Sequence, residues 1–236
     1  MTEQLSPLAL QALAVVEESG AIISANHAHP HTIRHKGRID LVTETDIAVE
    51  AFLKERLATL APQAGFLAEE SAEDLSLPDT CWIIDPVDGT TNFAHGLPLT
   101  VTSVAYRLNG EIVLGIVNAP LLHECFIAEK GKGAWRNGER ISVSSVTACE
   151  NALIATGFPY EIASRVDEIL ERMRPVLSSC QGVRRCGAAA LDLAWTACGR
   201  FDAFYEDELN RGTWPQARCS SPRPGGSISE SGRLAL

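Results

Sequence analysis

The chain of 236 residues is short of basic residues, and this shortage restricts its partners. It has 20 Lys and Arg against 30 Asp and Glu, which gives a formal net charge of −10. Nucleic-acid binders neutralise backbone phosphates with Lys and Arg, so this balance argues against a nucleic-acid partner. Hydrophobic residues make up 45% of the chain, a proportion typical of a globular protein with a substantial core.

The sequence also lacks a cysteine pattern and a long apolar run. Its seven cysteines are an odd number without a C-x-x-C pair, which argues against a disulfide framework and against a zinc site. Reduced, buried thiols in a cytoplasmic protein are the simpler interpretation. No apolar stretch approaches about 18 residues, and the N-terminus lacks the basic and apolar segments of a signal peptide. We therefore expect neither a membrane span nor a signal peptide.

One stretch, residues 82–93, carries a chemical signal in the order W-I-I-D-P-V-D-G-T-T-N-F. Its first three residues favour a buried strand, which we expect to end at Asp85. Pro86 should then bend the chain, and Asp88-Gly89 should turn it into the start of a helix. Paired carboxylates suit a hard cation, and helix N–H groups suit a phosphate. The run therefore favours metal-assisted phosphoryl chemistry over an ordinary acidic turn.

The rest of the chain alternates helical and strand patterns. Helices are predicted from Ser6-Pro7 to about Asn26, from about Asp46 to Leu60, from Ile162 to Arg174 with Pro175 ending or kinking it, and from Ala188 to Cys198. Strands are predicted at residues 65–68, 99–108, 112–117, 124–128, 153–156 and 201–206, with hairpin turns at Asn109-Gly110 and Asn137-Gly138. A polar connector indicates a boundary between an N-terminal α+β lobe, 1–146, and a C-terminal α/β lobe, 147–236.

Two polar clusters each allow two interpretations. Glu69-Glu70 directly follow a predicted strand, where they are either ligands of a cation or solvated charge. Four of the six histidines lie within residues 27–35, where a polar loop is favoured over a metal-binding tract.

Together these segments resemble the inositol monophosphatase family of metal-dependent phosphatases. Residues 82–93 resemble its first signature motif, residues 65–71 its acidic strand end and residues 40–46 its D-L-V-T-x-x-D segment. Residues 155–160 and 184–206 resemble bacterial members. The resemblance implies an α/β fold, a layered αβαβα sandwich of the inositol monophosphatase and fructose-1,6-bisphosphatase type. It also implies a homodimer and Mg²⁺-dependent, lithium-sensitive hydrolysis of a phosphate monoester.

The resemblance further implies roles for individual residues. A first Mg²⁺ would be held by Glu69, Asp85 and the carbonyl oxygen of Val87, and a second would be bridged by Asp85 and Asp88. The implied catalytic residues are Glu69, Thr90, which would orient the attacking water, and Asp46, hydrogen-bonded beside it. Substrate contacts are implied for Asp88, the N–H groups of Gly89 and Thr90, Arg184, Gly187, Ala188, Ala189 and Glu206. Lys36 matches a family lysine near the site, and Ala188 replaces the Ser or Thr of many relatives.

The resemblance breaks after Asn210. Relatives have W-D-x-A, an apolar helix and E-A-G-G, whereas residues 211–224 are rich in Pro, Arg and Ser and predict a loop. Permitted codons for residues 211–226, translated again with one added base, give P-W-D-V-A-A-G-A-V-L-V-P-E-A-G-G. We therefore hypothesise two compensating frame shifts, biological or from sequencing. Thr213 then stands in place of a metal-binding Asp, and a weakened second cation site, impaired folding and low activity are expected.

The motifs leave the substrate open. Inositol monophosphate is the leading expectation, and histidinol phosphate, a sugar bisphosphate and a 3′-phosphonucleotide are alternatives. Outside the enzymes, Thr213 and a C-terminus shorter than that of relatives favour a catalytically weak phosphate-binding or regulatory protein. An acidic interaction module without a site would leave the convergence of Glu69, Asp85 and Asp88 unexplained.

Overall fold

The computed structural model describes residues 5–27, 33–35, 41–69, 78–159 and 162–206. Its helices are α1 (Pro7–Asn26), α2 (Glu44–Leu60), α3 (Thr90–Ala94), α4 (Val166–Ser179) and α5 (Ala189–Ala197). Its strands are β1 (Ile33–His35), β2 (Leu41–Thr43), β3 (Gly65–Ala68), β4 (Cys81–Asp88), β5 (Val101–Leu108), β6 (Glu111–Ala119), β7 (Glu124–Glu129), β8 (Gly133–Arg136), β9 (Glu139–Arg140), β10 (Leu153–Thr156), β11 (Gly182–Arg184) and β12 (Ala203–Tyr205).

A seven-stranded sheet forms the centre of the N-terminal part, in the order β3-β4-β5-β6-β7-β8-β9. Strands β3 and β4 are parallel, and every later neighbour pair is antiparallel. Asn109-Gly110 joins β5 to β6, and Asn137-Gly138 joins β8 to β9, each with both residues at positive φ. This backbone is that of the tight hairpin turns predicted from the two Asn-Gly pairs.

The two faces of this sheet bury different helices because successive residues of a strand point to opposite sides. Trp82 and Ile84 of β4 belong to the core shared with α1 and α2. On the other side, Val117 of β6 and Phe126 of β7 pack with Leu191 of α5. The central sheet therefore lies between a pair of helices and α5.

A second sheet covers the far side of α5. It is parallel throughout, in the order β11-β10-β12. Its outer side packs against α4, where Val176 and Cys180 contact the core of Ile154 and Ala203. The layers thus run helix, sheet, helix, sheet, helix, which confirms the predicted αβαβα sandwich. The lobe boundary at residue 146 stays a prediction.

The strand end predicted at Asp85 was wrong, and of the two outcomes predicted for Pro175, an end or a kink of the helix, the end does not occur. Strand β4 does not end at Asp85 but continues through Pro86 to Asp88, with a register shift against β5 between Asp85 and Asp88. The strand tolerates Pro86 because β3 pairs with β4 only as far as Ile84. Helix α4 likewise continues through Pro175 to Ser179. Pro175 is exposed, so the carbonyl group that loses its N–H partner can bind water instead.

The N-terminal region differs from the expectation in two further ways. Part of the His-rich segment, predicted as a loop, forms strand β1, which pairs antiparallel with β2. Helix α1 is long and apolar enough to cross a membrane by length and composition, although no such run was expected. The core helix of a globular protein and a signal sequence pass the same test, and 44% of the apolar window of α1 is buried inside the structure.

Candidate active site

The predicted site surrounds the turn between β4 and α3. Gly89 occupies this turn with a φ of +89°, which a residue with a side chain rarely adopts. A Cβ atom on Gly89 would lie 2.7 Å from the carbonyl oxygen of Leu99 and 3.1 Å from the Cβ of Ala188. Glycine at this position therefore lets the turn approach the start of α5 closely.

Thr90 and Asp46, which were predicted to act together, lie side by side. The Thr90 hydroxyl donates to the carbonyl of Val87 at 2.9 Å and lies 3.4 Å from Asp46 Oδ1. Asp46 is buried, and its Oδ2 accepts from the N–H of Thr43 at 2.9 Å and from the Thr43 hydroxyl at 2.5 Å. The bond from the Thr43 N–H is part of the N-terminal capping box of α2, and both bonds hold the Asp46 carboxylate in place.

Glu69 and Asp85 come from neighbouring strands. The N–H of Glu69 donates to the carbonyl of Ile84 at 3.1 Å, which continues the parallel pairing of β3 with β4 by one residue. Glu69 therefore follows β3 at the level where Asp85 stands on β4. Asp85 is buried, whereas Glu69 is exposed. The structure places both predicted ligands at the carboxyl edge of these two strands.

Asp88 connects the turn to the C-terminal part of the chain. Its Oδ2 accepts a 2.6 Å hydrogen bond from the N–H of Ala190, and its carboxylate is also bonded to the N–H of Ala189. Helix α5 begins at Ala189 without a capping side chain of its own, because its N-cap residue is Ala188. Asp88 thus caps α5 from a distant segment, a role that the sequence analysis missed.

The electrostatics of Asp88 indicate crowded negative charge. Burial, together with the negative charges of Glu69 and Asp192, raises the pKa of its carboxyl to about 7, against the lowering effect of the N–H groups of Ala190 and Ala189. Carboxylates that raise one another's pKa in this way gain from a nearby cation.

The donor set fits Mg²⁺, although the side chains do not form a complete coordination shell. In the described part of the chain, no group of three or more His, Cys, Asp and Glu is placed to hold a metal ion. Asp88 is hydrogen-bonded to α5, and Glu69 is exposed. Carboxylate and carbonyl oxygens are nevertheless the ligands that Mg²⁺ prefers, and the mutual repulsion of Asp88 and Glu69 favours a cation between them.

The segment predicted to contact the substrate lies against the turn. Asn92 of α3 is buried, and its side-chain amide donates to the carbonyl of Leu99 at 2.8 Å and to that of Cys186 at 2.9 Å. Gly187 follows with a φ of +85°, and Ala188 is buried beside Gly89. The structure therefore brings residues 187–189 to the predicted phosphate-binding turn. The Asn92 bridge was missed because it joins residues 94 positions apart.

Two other predicted substrate contacts have different surroundings. Glu206 follows β12 and lies against Gly157. A Cβ atom on Gly157 would come within 2.1 Å of the Glu206 carboxylate. Arg184 is exposed on β11, and its guanidinium donates to the carbonyl of Val183 at 2.9 Å. The substrate contact of Arg184 therefore has no support from its position and stays a prediction. Lys36, Thr213 and the segment 211–224 lie outside the described residues.

A buried acid of α5, Asp192, is a further residue that sequence reasoning missed. Burial raises the pKa of its carboxyl to about 7, while a hydrogen bond with Cys186 and the charge of Arg185 lower it. The signal was present in the sequence, because Asp192 is a charged residue within the apolar run A-L-D-L-A-W.

Comparisons with known proteins agree with this architecture. A model of the inositol monophosphatase family matches residues 4–215. An inositol monophosphatase of Dictyostelium discoideum is 42% identical over 201 residues, which cover 83% of this chain and 74% of the relative. The Nus factor SuhB of Escherichia coli is 33% identical over 229 residues, 96% of this chain and 86% of the relative.

Solved structures give the same result. The extragenic suppressor protein SuhB of Bartonella henselae superposes with a TM-score of 0.86 at 34% identity, over 91% of this chain and 84% of the other. An IMPase of Thermotoga maritima superposes with a TM-score of 0.78 at 33% identity, over 87% of this chain and 78% of the other.

Proposed function

Because the chain belongs to the inositol monophosphatase family of phosphoric monoester hydrolases, we propose that it hydrolyses inositol monophosphate at the turn after β4. The family depends on Mg²⁺. The observation that carries the proposal is the convergence of acidic groups at one edge of the sheet. Glu69 continues the pairing of β3 with β4, and its charge acts on Asp88 at the end of β4.

The proposed roles are those that the family resemblance implies. Glu69, Asp85 and the Val87 carbonyl would hold one Mg²⁺, and Asp85 and Asp88 would share a second. When bound, the cations would neutralise phosphate charge and lower the pKa of water. The second cation would be held weakly, because Thr213 stands where the resemblance implies an aspartate.

The remaining residues would bind and orient the substrate. The Thr90 hydroxyl, which contacts the Val87 carbonyl and Asp46, would orient the attacking water. The N–H groups of Gly89 and Thr90 would bind phosphate oxygens at the start of α3. Residues 187–189 and Glu206 would contact the hydroxyl-bearing part of the substrate. In the reaction, water forms a new P–O bond, the ester P–O bond breaks, and the alcohol leaves with a proton.

Substitution of a proposed ligand tests this function. We expect Asp85→Asn to lower the Mg²⁺-dependent kcat at least about 100-fold, because it removes charge from a shared ligand. Phosphate release from inositol monophosphate is the measurement, and Asp167→Asn, at an exposed position of α4, is the matched control. Full activity of Asp85→Asn would refute the proposed site.

The substrate requires a separate comparison. Histidinol phosphate, a sugar bisphosphate and a 3′-phosphonucleotide share the same reacting group, so the metal motif does not distinguish them. Rates for these compounds and inositol monophosphate, each with Mg²⁺ and with or without Li⁺, decide the question. A panel in which inositol monophosphate is the poorest substrate would overturn the leading choice.

A catalytically weak regulatory or phosphate-binding protein is the second candidate. It is favoured by Thr213, which supplies at most a neutral oxygen where the resemblance implies a carboxylate. One relative, 33% identical to this chain, is named as a Nus factor and not as a phosphatase. Calorimetric titration with Mg²⁺ separates the candidates: an active enzyme should bind at least two cations, and a weakened one a single cation.

We further propose that the chain forms a homodimer in the cytoplasm. The exposed apolar side chains of α4, Leu170 and Leu177, provide surface that an association could bury. Light scattering of the wild type and of Leu170→Glu/Leu177→Glu measures the mass. A monomeric wild type would contradict the proposal.

A further inference from the structure

We propose that Arg185 binds a second anionic group of the substrate, a phosphate or a carboxylate, beside the phosphate that is cleaved. This inference rests on the proposed phosphatase function and concerns the range of substrates. It assigns to Arg185 a role in specificity, separate from the residues that would hold Mg²⁺ and the reacting phosphate.

The position of the guanidinium carries the inference. Arg185 lies between β11 and the segment 187–189, and its guanidinium carbon is 5.8 Å from the centre of the Phe158 ring. Its Nη1 lies 2.6 Å from the place where a Cβ of Gly187 would stand, and the side-chain nitrogen of Asn92 lies 3.1 Å from the same place. Arg185 and Asn92 therefore approach the same small region of Gly187, next to the Gly89 turn.

The surroundings leave this charge available to a ligand. Arg185 is exposed, and Phe158 offers its guanidinium an aromatic face that helps to keep it in place. The neighbouring Arg184 instead donates to the carbonyl of Val183. A planar guanidinium can bind a phosphate or a carboxylate through two parallel hydrogen bonds.

The negative charge around the site makes such a residue useful. The chain carries a net charge of −10, and Glu69, Asp88, Asp192 and Glu206 are gathered around the turn and the second sheet. A substrate with two anionic groups would be repelled by these carboxylates. Arg185 would offset this repulsion for the second anionic group, beside the reacting phosphate.

A structural role is the competing explanation, because the charge of Arg185 acts on the buried Asp192. The two roles differ in what the removal of Arg185 changes. Loss of charge balance would destabilise the protein and affect all substrates alike. Loss of an anion contact would affect only substrates with a second anionic group.

The test compares fructose 1,6-bisphosphate with inositol monophosphate in the full chain with Mg²⁺. We expect Arg185→Ala to lower kcat/KM for the bisphosphate about 10- to 100-fold and for the monophosphate less than about twofold, the range of one charged hydrogen-bonded contact. The kcat/KM of Arg185→Lys for the bisphosphate should lie between the values for wild type and Arg185→Ala. Arg174→Ala, which removes an exposed charge from α4, is the matched control and should change neither value.

The outcomes separate the inference from the proposed function. An equal fall in kcat/KM for both substrates would overturn the role of Arg185. A lower melting temperature with an unchanged ratio of the two kcat/KM values would do the same. If the wild type hydrolyses neither compound, the phosphatase function fails, and calorimetric binding of both compounds still tests Arg185. An equal ratio of the two dissociation constants in wild type and Arg185→Ala would then refute the inference.

Discussion

At the scale of single residues, Glu124 shows how one carboxylate can join separate elements. Standing on β7, it accepts hydrogen bonds from Arg200 at 2.5 and 2.7 Å and from the indole N–H of Trp195 at 2.9 Å. Burial alone would raise the pKa of Glu124, but these bonds and the charges of Arg200 and Arg136 hold that pKa below its usual value. The ionised carboxylate therefore stabilises the packing of α5 on the large sheet.

The lowered pKa predicts a pH dependence. The stabilisation is complete above the unfolded-state pKa and is lost as the pH falls through the lower folded-state pKa. We expect Glu124→Gln to reduce the free energy of unfolding by about 1–3 kcal/mol at pH 7, with a smaller difference from wild type at pH 3. Urea denaturation at both pH values measures this. Glu111→Gln, in an exposed pair with Lys130, is the control. An equal difference at both pH values would contradict the prediction.

At the scale of elements, Asn92 holds α3 to the segment before α5. Removing its amide leaves the carbonyls of Leu99 and Cys186 without this donor in a buried region. We expect Asn92→Ala to cost about 1–3 kcal/mol of stability and to lower kcat more than Thr91→Ala, an exposed neighbour on the same helix. Chemical denaturation and steady-state rates measure the two effects. Equal rates for the two variants would show that the bridge does not position the site.

Helix α4 carries a second prediction at this scale. Pro175 lies inside the helix on an exposed face, where its ring removes one backbone hydrogen bond. Pro175→Ala should therefore raise the free energy of unfolding by about 1–3 kcal/mol, the order of the difference in helix propensity. Arg174→Ala is the control in the same denaturation experiment. A loss of stability would contradict the prediction.

At the scale of the whole molecule, the segment 211–224 decides whether the chain works as its relatives do. The family model matches residues 4–215 and so ends within this segment. We expect the frame-restored chain, with P-W-D-V-A-A-G-A-V-L-V-P-E-A at 211–224, to have a higher melting temperature and greater Mg²⁺-dependent phosphatase activity.

Two further experiments make this test decisive. Thr213→Asp alone should improve Mg²⁺ binding with little change in melting temperature, which separates the lost ligand from the lost helix. Unchanged activity in both the restored chain and Thr213→Asp would contradict the prediction. A gene sequence incompatible with the shifted frame would refute the frame-shift hypothesis itself.

The sequence by itself determined the local features of this protein. The spans of α1 and β10, the Asn-Gly turns and the turn at Asp88-Gly89 were predictable because periodicity, caps and turn residues act over a few positions. The continuation of β4 through Pro86 and of α4 through Pro175 was not predictable. The pairing of the neighbouring strand and the exposure of the helix decided whether the backbone hydrogen bond lost at each proline mattered.

Only the tertiary structure decided how the two parts of the site meet. The bond from the N–H of Ala190 to Asp88 joins residues 102 positions apart. These two residues meet only because α5 packs against the large sheet. No local pattern encodes such a contact, because its geometry exists only after both sheets have enclosed that helix. The acidic turn thus follows from its own residues, while its neighbours at α5 follow from the folded chain.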